Sequence, residues 1–179
     1  PCTSYIFRVR INGSPFWSVS SPAFSTSAAL HSCYVSMLGP ELLLNKSGVV
    51  TKVSTASLRK SIVAILFSAS WCPPCKTFTP QLAQFYASIR ASGRRFEVIF
   101  LSLDRDERSF SEYFLNHHPW LAIPYSCSAR TTVPSYFKVQ GIPSLIIFDW
   151  NGQVIERNGV GKMLTVDTFD AWERAASKG

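Results

Sequence analysis

One run of eight residues, Ser61–Ser68 (SIVAILFS), constrains the fold more than any other stretch. It is continuously apolar and rich in β-branched side chains, which suits a strand covered on both faces. Trp71-Cys72-Pro73-Pro74-Cys75 follows almost at once. Two consecutive prolines fit the first turn of a helix, where the backbone N–H has no intrahelical partner anyway. The helix they open places Phe78, Leu82, Phe85 and Ile89 on one face and ends by Gly93. Pro80 lies inside it and is expected to kink it. A fully buried strand that feeds straight into an amphipathic helix is a building block of an α/β sheet.

The rest of the chain extends that pattern. A helical turn is expected over Pro40–Leu44, then a strand over Val49–Val53 after the turn Lys46-Ser47-Gly48. Phe96–Leu103 (FEVIFLSL) is a second buried strand. Glu107–His117 is a helix that buries Phe110, Tyr113 and Phe114, with His117-His118 at its end. An apolar connection, Trp120–Tyr125, leads to a short helix over Thr131–Val139, limited by Pro134. Ser144–Asp149 (SLIIFD) is another strand. Asn151-Gly152 is a hairpin signal, with Gln153–Arg157 as the partner strand. A final helix starts near Asp167 and carries Phe169, Trp172 and Ala176. The order β-β-α-β-α-β-β-α predicts an α/β fold with a central mixed sheet flanked by helices on both faces.

A chain of 179 residues suffices for one domain with a proper core. Its 18 Lys and Arg against 11 Asp and Glu give a net charge of +7. The excess is spread along the chain, with Arg94-Arg95 its densest point, so it predicts a solvated surface, or else a weak attraction to anionic partners, and no nucleic-acid groove. No apolar run approaches the ~18 residues of a membrane span. Residues 1–36 differ from the remainder: they lack Asp and Glu, carry Arg8 and Arg10, and are rich in Ser and Thr. That composition suits a transit segment, although Pro15 and Pro22 interrupt the helix such segments form. Three readings stand: a targeting extension, sequence upstream of a start at Met37, or a structural appendage. The expected division is a disordered or targeting leader over 1–36 and a folded domain over 37–179. The expected location is cytoplasmic, or mitochondrial if the leader is a transit segment.

The five cysteines are irregularly spaced, which is not a secreted disulfide framework and fits a reducing compartment. Only Cys72 and Cys75 are close in sequence. Cys72 falls where the strand ends and the helix begins, and a helix N-terminus stabilises a thiolate. Cys75, three residues on, is a neighbour on the helix and can close a disulfide. Cys72 is therefore the expected nucleophile and Cys75 the less exposed resolving thiol. Trp71 offers a flat apolar surface to a partner, Lys76 adds a positive charge, and Pro73 and Pro74 remove two N–H groups from the thiolate. A zinc clip and a purely structural disulfide are the alternatives. Zinc wants four ligands, and one pair with a lone Cys127 and scattered histidines supplies them poorly. Cys127, in Ser126-Cys127-Ser128, is expected to be a bystander, otherwise a site of glutathionylation or of an intermolecular disulfide. Gly141-Ile142-Pro143 precedes a strand, and a proline there cannot join the ladder. By itself this fits an ordinary trans proline at a strand edge; taken together with the Trp-Cys-x-x-Cys stretch, a cis Ile142–Pro143 bond is expected, which would present the Ile142 backbone to an extended partner chain.

These residues carry a resemblance. Trp71-Cys72-Pro73-Pro74-Cys75 on a strand-to-helix junction, with Gly-Ile-Pro ahead of a later strand, resembles the thioredoxin superfamily, and within it the tryparedoxin and nucleoredoxin branch. The likeness runs through FSASWCPPCKTFTPQLAQFY (67–86), FEVIFLSLDRDERSF (96–110), PWLAIPY (119–125) and FKVQGIPSLIIFD (137–149). It implies a thioredoxin fold and a dithiol oxidoreductase that reduces protein disulfides, such as those of peroxiredoxins, through Cys72 and Cys75. Trp71, Pro73, Pro74, Ile142 and Pro143 are then supporting residues. A small dithiol donor of the trypanothione or glutathione type is implied, with no cofactor, no metal, no nucleic acid, no membrane and a monomeric state. Departures are visible. Tryparedoxins usually read Trp-Asp-Glu where this chain has Leu103-Asp104-Arg105. The buried aspartate of thioredoxins falls at Leu66, so Asp104 is the candidate for tuning Cys75, with a solvated or capping aspartate as the alternative. The rival readings are a nucleoredoxin-like binding module gated by the redox state of the pair, and a disulfide isomerase or oxidase.

Overall fold

The computed structural model describes residues 32–46 and 48–178. Its first element is helix α1, Ser32–Leu38. A hairpin follows, β1 (Glu41–Lys46) and β2 (Val49–Ser54), paired in antiparallel register from Glu41 opposite Ser54 to Lys46 opposite Val49. The helical turn expected over Pro40–Leu44 is therefore a strand. Leucine favours helices, but here the sheet wins by burying alternate leucines on opposite faces: Leu42 and Leu44 pack on one side and Leu43 on the other. Gly48, at φ 86, makes the turn, with its N–H donated to Asn45 Oδ1 at 3.0 Å.

The buried strand is β3, Ile62–Ser68, and every one of its residues is buried. Helix α2, Pro73–Ala91, follows it and runs through Pro80 as one element. Strand β4 is Phe96–Ser102 and helix α3 is Glu107–His117. The apolar connection expected at Trp120–Tyr125 contains a two-residue strand, β5 (Leu121–Ala122), which pairs with both β1 and β4. Helix α4 spans Ala129–Tyr136, two residues ahead of the expected start. Strands β6 (Ser144–Phe148) and β7 (Val154–Glu156) form the terminal hairpin, and α5 is Val166–Ala176.

The sheet order is β2-β1-β5-β4-β3-β6-β7. β3 pairs parallel with β4 and antiparallel with β6, so the sheet is mixed. Alternation along β3 splits the core in two. Ile62, Ala64 and Leu66 face the layer of α2, α3 and α5, while Val63, Ile65 and Phe67 face α1 and α4. Phe110, Tyr113 and Phe114 lie in the first layer, as their spacing predicts. The expected domain boundary at Met37 falls inside α1. Tyr34 is buried in the second layer, and its hydroxyl donates to Asp149 O at 2.6 Å. The packed domain thus takes in Cys33–Ser36; residues 1–31 lie outside the described residues. His118 caps α3 but does not face solvent. It is 2% exposed, stacks on Phe100 at 4.0 Å, and neither ring nitrogen has a hydrogen-bond partner among the described residues. Burial and the nearby His117 push its pKa down to about 3, so the ring stays neutral.

Candidate active site

β3 ends at Ser68, and four residues later Cys72 becomes the N-cap of α2. Pro73 and Pro74 occupy the first two helical positions, so the first N–H available at this helix end belongs to Cys75. It donates to Cys72 Sγ at 3.3 Å, and the sulfur itself caps the helix. The same contact would stabilise a thiolate at Cys72. Cys72 and Cys75 are joined as a disulfide, with Cα atoms 5.3 Å apart. Cys75 is fully buried and Cys72 is 4% exposed, in the expected order. Among the described residues no group of three or more His, Cys, Asp or Glu could hold a metal ion.

The Ile142–Pro143 bond is cis, and Ile142 O lies 3.6 Å from Cys72 Sγ. In the reduced protein the thiol can donate to that carbonyl. On the other side of the sulfur, Trp71 is 53% exposed, large for a tryptophan, and forms a platform beside the pair. Its indole N–H donates to Leu103 O at 3.4 Å, and the Arg105 guanidinium sits 5.8 Å from its ring centroid. Trp71, Cys72, Pro73, Pro74, Cys75, Ile142 and Pro143 are thus brought to one place.

Asp104 is buried near them but meets neither sulfur through any hydrogen bond. Its Oδ1 accepts from Ser70 N–H at 2.8 Å and its Oδ2 from the Ser102 hydroxyl at 2.7 Å. It ties the loop carrying Trp71 to the end of β4. Arg130 completes the tie: its guanidinium donates to the backbone oxygens of Ser102, Tyr125 and Asp104 at 2.9 to 3.0 Å. Sequence reasoning missed Arg130. A basic residue in a first helical turn opposes the helix dipole, and that mismatch was the available signal.

Three buried hydroxyls, of Ser68, Thr79 and Tyr113, meet near the Cys75 backbone. Thr79 Oγ1 donates to Cys75 O at 2.9 Å, and the Tyr113 hydroxyl lies 3.3 Å from Thr79 Oγ1 and 3.5 Å from Ser68 Oγ. Cys127 is buried, with Sγ 3.7 Å from Leu38 O, so the modification considered for it meets a closed surface.

A family model described as Thioredoxin-like matches residues 60–154. Nucleoredoxin from Bos taurus is 44% identical over 118 residues, 65% of this chain and 26% of that protein. Tryparedoxin from Trypanosoma brucei brucei is 44% identical over 111 residues, 60% of this chain and 72% of that protein. Among solved structures, native tryparedoxin I from Crithidia fasciculata superposes with a TM-score of 0.60 at 40% identity, covering 67% of this chain and 81% of that one. Tryparedoxin II complexed with glutathionylspermidine gives 0.57 at 34% identity, covering 64% and 78%. The chain belongs to the thioredoxin-like family and has the thioredoxin fold. It spans about a quarter of the length of the nucleoredoxins it matches.

Proposed function

We propose that this chain is a thiol–disulfide oxidoreductase that reduces protein disulfides through Cys72 and Cys75. The observation that carries this is the cysteine pair at the N-terminus of α2, its first sulfur bonded to the Cys75 N–H and lying against the Ile142 backbone. The Cys72 thiolate attacks one sulfur of the acceptor disulfide, and the other leaves as a thiolate that takes up a proton. Cys75, deprotonated, then displaces the acceptor's remaining sulfur from Cys72. The acceptor gains two electrons and two protons, and the pair ends as the Cys72–Cys75 disulfide. A small dithiol restores it by the reverse exchange. The complex of a similar tryparedoxin with glutathionylspermidine supports a glutathione-derived donor. Peroxiredoxins are the acceptor class we propose, in a reducing compartment.

A second reading, a redox-gated binding module, draws on the exposed Trp71 and the identity to nucleoredoxins. One experiment separates them. The oxidised chain is exposed to trypanothione and to glutathione at equal thiol, and the pair is followed by the mass shift of alkylated thiols; the reduced chain is then mixed with a disulfide-form peroxiredoxin. Turnover lost in Cys72→Ser, with a trapped mixed disulfide in Cys75→Ser, supports the reductase. Binding that depends on redox state, without turnover, supports the module.

A further inference from the structure

The surface beyond Ile142 carries charge of one sign. An open groove of about 620 Å³ runs from Phe137 past Ile142 and Pro143 to Asn158. The ionisable side chains lining it are Lys138 and Arg157, both exposed. Neither is in an ion pair among the described residues. The nearby Glu156 is occupied: its carboxylate accepts from Asn158 N–H at 2.9 Å and pairs with Lys162 at 3.1 Å. Lys138 is held where it is by the end of α4. Its backbone has φ 54, and its N–H donates to Ser135 O at 3.2 Å. Lys76, one residue after Cys75, and Arg105, beside the Trp71 ring, are also without an ion pair among the described residues. Asp106 and Glu107 follow Arg105 and offset part of its charge, whereas nothing acidic lines the groove.

We propose that this groove selects protein acceptors whose disulfide lies in an extended acidic segment, with Lys138 and Arg157 reading its carboxylates. This selectivity presupposes the reductase reading above. An extended chain laid along the Ile142 backbone advances about 3.3 Å per residue, so residues a few positions from the attacked cysteine come within range of both cations. Exposed charges of this kind act on encounter and register more than on bond making, and salt weakens them. The attack by Cys72 is the exchange already described.

The test uses the reduced chain and three disulfides: a peptide disulfide flanked by aspartates, its lysine-flanked counterpart, and uncharged hydroxyethyl disulfide. Each peptide's rate constant is divided by that of hydroxyethyl disulfide with the same protein. The expected result is a preference of about tenfold or more for the acidic peptide in low salt, falling toward unity in 0.5 M salt, and reversing in the doubly reversed variant Lys138→Glu with Arg157→Glu. Circular dichroism checks that this variant is folded. Equal peptide rates in the wild-type chain overturn the proposal. So does a preference that survives the double reversal, or one that disappears only in Arg105→Glu. If hydroxyethyl disulfide is not reduced in a Cys72-dependent way, the reductase reading is what fails.

Discussion

Asp104 Oδ1 accepts the backbone N–H of Ser70 at 2.8 Å, two residues ahead of the nucleophile candidate Cys72. The loop bearing Trp71 is thereby hung from the end of β4, 34 residues away in sequence. Removing the carboxylate leaves a half-buried N–H and the Ser102 hydroxyl without this acceptor. Asp104→Ala should cost about 2–3 kcal/mol of unfolding free energy, and Asp104→Asn, which keeps one acceptor oxygen, less. Denaturant titrations check the order. If Asp104 instead served Cys75 as a base, the asparagine variant would lose activity as fully as the alanine one.

Tyr113 is the next positioning residue. Its hydroxyl joins Thr79 and Ser68, and Thr79 in turn holds the Cys75 carbonyl. Tyr113→Phe keeps the ring packing and deletes that link, at about 1 kcal/mol. Resolution of the mixed disulfide by Cys75 should slow roughly fivefold, since each 1.36 kcal/mol is about tenfold in rate. Alkylation of Cys72 should keep its pH profile, because the cap from Cys75 N–H is untouched. Quenched-flow resolution rates beside iodoacetamide rates at varied pH separate the two effects.

The strand Ser61–Ser68 and the proline-opened helix were legible because each depends on local chemistry, periodicity and N-terminal tolerance of proline. The cis bond at Pro143 was legible only together with the Trp71–Cys75 stretch, since a missing ladder donor alone leaves a trans proline open. What local chemistry could not show was pairing. Leu42–Leu44 has helix formers, and only partners on both sides make it a strand. Leu121–Ala122 is too short to announce itself. Arg130, Lys138 and Arg157 reach the neighbourhood of Cys72 through the sheet's crossovers, so no spacing in the chain links them. Asp104 was legible as a residue but its partner was not, because that partner is a backbone N–H, which carries no side-chain signature.

The cysteines should label in a fixed sequence. After reduction, Cys72 has its sulfur at the surface end of the pair and reacts first. Cys33 is half-buried, with its thiol pKa raised by burial, and should react slowly at neutral pH. Cys127 is buried with its sulfur against a carbonyl, Leu38 O, whereas the Cys72 sulfur accepts the Cys75 N–H, and it should stay unmodified until the chain unfolds. Mass spectrometry of timed N-ethylmaleimide reactions, with and without denaturant, reads all three. Rapid labelling of Cys127 in the folded chain would return it to the list of modification sites.

His118 sets an acid limit on stability. Unfolded, its imidazole titrates near 6.5; folded, burial holds it near 3. Between those values the unfolded chain binds one proton more, so the contribution is complete above about pH 6.5 and shrinks as pH falls, by about 1.4 kcal/mol per unit. His118→Leu removes the titrating group and two unpartnered nitrogens while keeping an apolar side chain against Phe100. The drop in unfolding free energy between about pH 6.5 and 4.5 should then be smaller than in the parent chain by about 2 kcal/mol. Urea titrations of both proteins at the two pH values give that difference, and groups common to both cancel. An unchanged pH dependence would mean that the ring gains its proton without unfolding, through a partner or an opening at the end of α3.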